Sequence, residues 1–127
     1  FPFPVYAIDY VSDEKQMARL YNAVDAYVTP SLEDNLPNTI VEALSCGVPC
    51  VGFNVGGIPE MIDHRKNGYL AETRNAEDLA EGIRFILETA PWEELSAHAV
   101  HSALAHYGET NVASKYIAIY KRASEKR

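Results

Sequence analysis

Short β-prone runs alternate with helix-patterned stretches along this chain, and no other feature narrows its choice of fold as much. Pro4-Val5-Tyr6-Ala7-Ile8 reads as a buried strand, and Asp25-Ala26-Tyr27-Val28-Thr29 as a second, closed by Pro30. Residues 49–53 read as a third strand, and Gly68-Tyr69-Leu70-Ala71 starts a fourth. Between the first two, Ser12 is placed to cap a helix whose first turn holds Asp13 and Glu14, favourable at the positive end of the helix dipole. Met17, Leu20, Tyr21 and Val24 follow at i, i+3, i+4 and i+7, one face of that helix. A second helix is expected from Asn38 to Ser45, apolar nearly all round and therefore deeply packed, with Gly47 in its C-terminal cap. Asn75 and Asp78 resemble a capping box ahead of Leu79, Ala80, Ile83, Ile86 and Leu87. Pro91 opens a helix to about His106. The last helix shows Val112, Tyr116, Ile119 and Tyr120 on one face and ends in a solvated tail, Ser124-Glu125-Lys126-Arg127.

Strands separated by helices imply βαβ crossovers and a parallel sheet covered on both faces, a Rossmann-like α/β fold. With 127 residues and no linker or internal repeat, residues 1–127 read as a single domain. In such sheets ligands bind beyond the carboxyl ends of the strands, which directs attention to residues 9–12, 29–38 and 54–60.

The net charge of −7 argues against a nucleic-acid partner, whose phosphates call for basic contacts. If a diphosphate binds here, backbone N–H groups or cations outside the chain must meet its charge. No apolar run approaches the ~20 residues of a membrane-spanning helix. Phe1 replaces an initiator Met and no basic segment opens the chain, so a start within a longer protein is expected, not a signal peptide. Cys46 and Cys50 have neither redox nor zinc spacing and read as small buried residues of a cytoplasmic protein.

The chemistry concentrates between Thr29 and Glu42. A strand ends, an acidic loop follows, and a helix begins near Pro37 or Asn38. Its first amides have no intrahelical partner and carry partial positive charge, a ready site for phosphate. Glu42 lies about one turn in, placed to accept hydrogen bonds from vicinal hydroxyls such as those of a ribose. Asp34, in the loop, is placed to hold a second polyol. On spacing alone, a helix cap at Asp34 and a solvated side chain at Glu42 fit equally well.

An ordered series of motifs goes further. It comprises residues 21–25, Pro30-Ser31, residues 34–49, Gly56-Gly57-Ile58-Pro59-Glu60, Asn67-Gly68-Tyr69-Leu70 and Asp78-Leu79-Ala80. Together they resemble the C-terminal donor domain of the retaining glycosyltransferases of family 4 (group 1), enzymes of the two-domain GT-B architecture. The resemblance spans roughly residues 6–87. It implies that Glu42 binds the nucleotide ribose and that Asp34, one methylene shorter than the family's usual Glu, positions the donor sugar. It places the backbone of Asn35 and Leu36 near sugar hydroxyls and the amides of Asn38 and Thr39 on the diphosphate. Tyr10 and Val11 stand where relatives touch the base, and Gly56 and Gly57 allow close backbone approach to the donor. Pro37 stands where many relatives have Gly and has no N–H to donate.

The implied reaction is transfer of a sugar from a nucleotide-diphosphate sugar to an acceptor, with this chain supplying the donor-binding half. No cofactor and no metal are expected. A sugar or lipid-linked acceptor would be bound through an N-terminal domain outside this chain, and any membrane association would also come from there. Relatives commonly serve polysaccharide biosynthesis in the cytoplasm. Two other readings stay open: a nucleotide-sugar epimerase of the same architecture, and a non-catalytic binding module. His98 and His101 share a helix face without a third ligand at metal spacing. His64 reads as part of a polar turn and Trp92 as a packing anchor.

Overall fold

A computed structural model describes residues 2–9, 11–33 and 37–125. Helix α1 (Glu14–Ala23) leads to strand β1 (Tyr27–Thr29), then α2 (Asn38–Ser45), β2 (Cys50–Phe53), α3 (Ile58–Met61) and β3 (Gly68–Ala71). Helix α4 (Ala76–Arg84) runs into a π-helical turn at Phe85–Thr89, followed by α5 (Trp92–Tyr107) and α6 (Asn111–Glu125). The strands form a parallel sheet in the order β1-β2-β3, with Tyr27 opposite Cys50 and Val51 opposite Tyr69.

Strand β2 is buried along its whole length, and its side chains alternate between two apolar layers. Cys50 joins Ile40, Leu44, Ile58, Ile62, Ala99 and Ile117 on one face. Val51 and Phe53 join Tyr69, Ala71, Ile86 and Leu95 on the other. Helix α2 is the hub of the first layer, packed by α5 and α6. Its Ile40, Ala43 and Leu44 are fully enclosed, as its nearly all-apolar sequence leads one to expect. The helix ends at Gly47, whose φ of +73° is the left-handed conformation that glycine adopts without a Cβ penalty. Helix α4 lies on the second layer through Gly82, where a Cβ would stand only 2.8 Å from Val51 Cγ1.

Two expectations are corrected. Residues 4–8 form no strand: Val5 and Ile8 are each 60% exposed and Tyr6 is 84% exposed. A β-prone run becomes a strand only against a neighbouring hydrogen-bonding edge, and β1 pairs with β2 alone among the described residues. The cap of α1 is Asp13, not Ser12. Its carboxylate accepts from the Lys15 amide at 3.0 Å, so Asp13 lies outside the first turn. Helix α6 also continues to Glu125, into the segment read as a tail. Among the described residues, no helix is long and apolar enough to cross a membrane.

Candidate functional site

Glu42 is set by the register of α2. The helix starts at Asn38 because Pro37 occupies the N-cap position with an extended ψ of 118° and no side-chain hydrogen bond to the first turn. The Ile40 amide reaches back to the Pro37 carbonyl at 3.1 Å. The amides of Asn38 and Thr39, being the first two, have no acceptor within the helix. One turn on, Glu42 leaves the apolar side of α2 half-buried, and its Oε2 accepts a hydrogen bond from the Tyr21 hydroxyl at 2.9 Å.

The Glu42 carboxyl opens on a cleft of about 470 Å³. It is lined by Val11 and Ser12, by Glu14 and Met17 of α1, by Thr39 and Glu42 of α2, and by Asn111, Val112, Lys115 and Tyr116 of α6. Lys115 Nζ lies 3.1 Å from Glu14 Oε1, bridging α6 to the start of α1. Burial raises the Glu42 carboxyl above the ordinary range, while hydrogen bonding from the Tyr21 and Tyr116 phenols opposes the shift. Burial raises the Tyr116 phenol to about 12, with the Glu42 charge as the next cause. The Tyr21 phenol is displaced upward still further, first by burial and then by its bond to Glu42.

Of the residues singled out by sequence, the structure brings Val11, Thr39 and Glu42 into one cleft. Asn38 is exposed at the mouth of α2 and does not line that cleft. Gly56 and Gly57 lie beyond the carboxyl end of β2, also outside it, with Gly56 at a φ of +58°. Tyr10, Asp34, Asn35 and Leu36 fall outside the described residues. Sequence reasoning did not assign Tyr21, Tyr116, Glu14, Lys115 or Asn111 to the site. The available signal was a tyrosine on the apolar face of each of α1 and α6, since a buried hydroxyl must find an acceptor.

Elsewhere the polar residues serve the scaffold. His64 Nδ1 accepts from the Leu70 amide at 3.0 Å, and its ring meets the edge of Tyr69. Trp92 Nε1 donates to the Asp25 carbonyl at 2.7 Å, tying α5 to the start of β1. His98 and His101 border a small cleft with Asp63 and His106. No three side chains among the described residues are grouped as ligands for a metal ion. Cys46 and Cys50 are buried free thiols; burial pushes Cys46 up to about 12 and Cys50 further.

Residues 5–103 match the family model described as Glycosyl transferases group 1. The chain belongs to this family.

Among curated group 1 relatives, it is 32% identical over 117 residues to the N,N'-diacetylbacillosaminyl-diphospho-undecaprenol alpha-1,3-N-acetylgalactosaminyltransferase of Campylobacter jejuni. That match covers 91% of this chain but only 31% of the Campylobacter enzyme. Among solved structures, the C-terminal domain of a group 1 glycosyl transferase from Francisella tularensis superposes with a TM-score of 0.67 at 21% identity, which establishes the fold. It covers 79% of this chain and 52% of that one. HepE of Anabaena, solved in complex with UDP, superposes with a TM-score of 0.65 at 26% identity, covering 84% of this chain and 29% of HepE. The three-stranded parallel sheet flanked by helices thus matches the C-terminal domain of group 1 glycosyl transferases. The wall contributed by α6 lies beyond the residues matched by the family model.

Proposed function

We propose that this chain supplies the donor-binding half of a retaining glycosyltransferase, which moves a sugar from a nucleoside-diphosphate sugar to an acceptor. One observation carries the reading: Glu42 is half-buried, braced by Tyr21, and opens on a cleft of about 470 Å³ that Val11 also lines. A ribose seated on Glu42 puts its base toward Val11 and its diphosphate toward the amides of Asn38 and Thr39. The solved complexes of HepE with UDP and with UDP-glucose make a uridine diphosphate sugar the first donor to try.

In transfer with retention, negative charge grows on the departing diphosphate and positive charge on the sugar. Amides at the start of α2, aimed at the phosphate, stabilise the first without reorganising as the bond breaks. Asp34 orients the sugar and does not attack it. In this reading cationic side chains outside the chain complete the charge compensation, so the chemistry needs no metal. The acceptor, sugar or lipid-linked, is bound by a further domain. The chain alone is therefore expected to bind nucleotide weakly and to transfer no sugar.

The test is a titration of the chain with UDP, GDP and ADP followed by heteronuclear NMR. Shifts grouped at Val11, Thr39 and Glu42 for one nucleotide support the reading and name the base. Shifts for none of the three, or shifts grouped elsewhere, overturn it.

A further inference from the structure

We propose that Tyr21 is a positioning residue: its hydroxyl fixes the Glu42 carboxylate so that the oxygen lone pairs left free meet the 2′,3′-diol of a ribose. This inference rests on the donor-site reading above and adds to it the origin of selectivity for ribonucleotides.

Tyr21 belongs to α1 and Glu42 to α2, and only 4% of Tyr21 is exposed. Its hydroxyl donates to Oε2 at 2.9 Å from the interior side. The ring is wedged between two others, at 6.1 Å and 69° from Tyr27 and at 5.9 Å and 76° from Tyr116. Buried and packed by two edge contacts, the ring has little room to move, which favours a well-ordered donor. A glutamate alone on a helix samples several rotamers and must be ordered again at each binding event. Tied to Tyr21, its carboxylate is ordered in advance. A carboxylate offers about four acceptor directions. With the Tyr21 and Tyr116 phenols each taking one, the two that remain suit the two donors of a vicinal diol.

The diol is best held by the ionised carboxylate, and several groups influence that ionisation. Tyr21 and Glu14 act from α1 and Tyr116 from α6, while Lys115 also lines the cleft and Cys46 lies just past the end of α2. Burial and Glu14 disfavour the charged form, and the two phenols favour it. Removal of the Tyr21 hydroxyl leaves the ring packing in place but withdraws one of the groups that favour the charge.

The experiment measures affinity for UDP and for 2′,3′-dideoxy-UDP by calorimetry, across pH, in the wild-type chain, Tyr21→Phe, Glu42→Gln and the double variant. Circular dichroism verifies the fold of each. In Tyr21→Phe, UDP affinity is expected to fall roughly tenfold, as for loss of one hydrogen bond to a charged group. Affinity for the dideoxy analogue is expected to stay unchanged, and the acid limb of UDP binding to move to higher pH. The double variant is expected to lose no more than Glu42→Gln alone. If Glu42→Gln abolishes the preference for UDP while Tyr21→Phe keeps it in full, the positioning role is overturned and the donor site stands. If Tyr21→Phe weakens both ligands equally, its role is general packing and the proposal also fails. A wild-type chain that binds neither ligand, or binds both alike, sinks the donor-site reading and this inference with it.

Discussion

Glu42 and Asp78 each accept a hydrogen bond from a tyrosine hydroxyl, at 2.9 Å from Tyr21 and 2.7 Å from Tyr69. The two carboxyls are nevertheless shifted in opposite directions. Asp78 has its second oxygen taken as well, by the Glu72 amide at 2.7 Å, and it lies in the first turn of α4 where the dipole favours a negative charge. Its carboxyl is held below the ordinary range, by the Glu72 amide first and the Tyr69 hydroxyl second. Glu42 is raised instead, because burial outweighs the phenols that face it. The helix ends differ in the same sense. The Asn75 side chain caps α4 by accepting from the Asp78 amide at 3.0 Å, whereas no side chain caps α2. Asp78 has each oxygen engaged by a donor of its own segment and holds the structure together. Glu42, met by phenols from α1 and α6, also lines a cleft and keeps acceptor capacity toward it.

Five substitutions would break or sharpen this contrast. The largest effect is expected from Glu42→Ala, with UDP affinity lowered roughly a hundredfold through loss of two charge-assisted hydrogen bonds and the fold intact by circular dichroism. Retained affinity would show that the two carboxylates do not differ in function. Asp78→Ala is expected to do the reverse, costing about 1–2 kcal/mol in urea unfolding while UDP affinity stays at the wild-type value. Next in size is Asn75→Ala, at about 0.5–1 kcal/mol for a lost cap, again without effect on UDP.

The smallest effect is in pH dependence, where the two carboxylates differ in sign. Asp78, lowered in the fold, contributes stability above its unfolded pKa and loses it as the pH falls through the folded value. Asp78→Asn is therefore expected to flatten the decline in urea midpoint between neutral pH and roughly pH 3. Glu42, raised in the fold, works the other way, and ionising it costs stability as the pH climbs through its folded value. Glu42→Gln should accordingly raise the melting temperature at neutral pH, by no more than about 2–4 °C, and leave acid stability little changed. A lower melting temperature at neutral pH would contradict the raised carboxyl.

Much of this contrast was legible in the sequence, and the parts that were not share a cause. Helix α2 was readable to the residue because Pro37 and Gly47 stop it at both ends and its apolar run admits no other use. The capping box at Asn75 was half right. The asparagine caps Asp78, but Asp78 turns to Tyr69 and Glu72, not back to its cap, because tertiary partners offer it two strong donors. The cap of α1 moved from Ser12 to Asp13 because adjacent residues of similar capping power are distinguished only by which side chain reaches the first turn. The strand read at residues 4–8 failed because strand formation depends on a partner edge, which no local pattern reports. Glu42 was singled out by position and resemblance, and the structure sets it half-buried beside a cleft. Tyr21 and Tyr116 were visible as apolar-face residues, but their convergence on one carboxylate depends on how α1 and α6 pack against α2. Periodicity gives the face of a helix and is silent on what lies opposite.

The contribution of α6 to the cleft has a consequence for how this segment is assembled during synthesis. The wall bearing Val11 is among the first parts of this segment to leave the ribosome, and the wall bearing Tyr116 among the last. Until α6 is translated and docked on α2, Glu42 has Tyr21 beside it but no enclosed space in front. A chain ending before Asn111 can contain every motif from Pro30 to Leu79 and still lack the α6 side of this cleft.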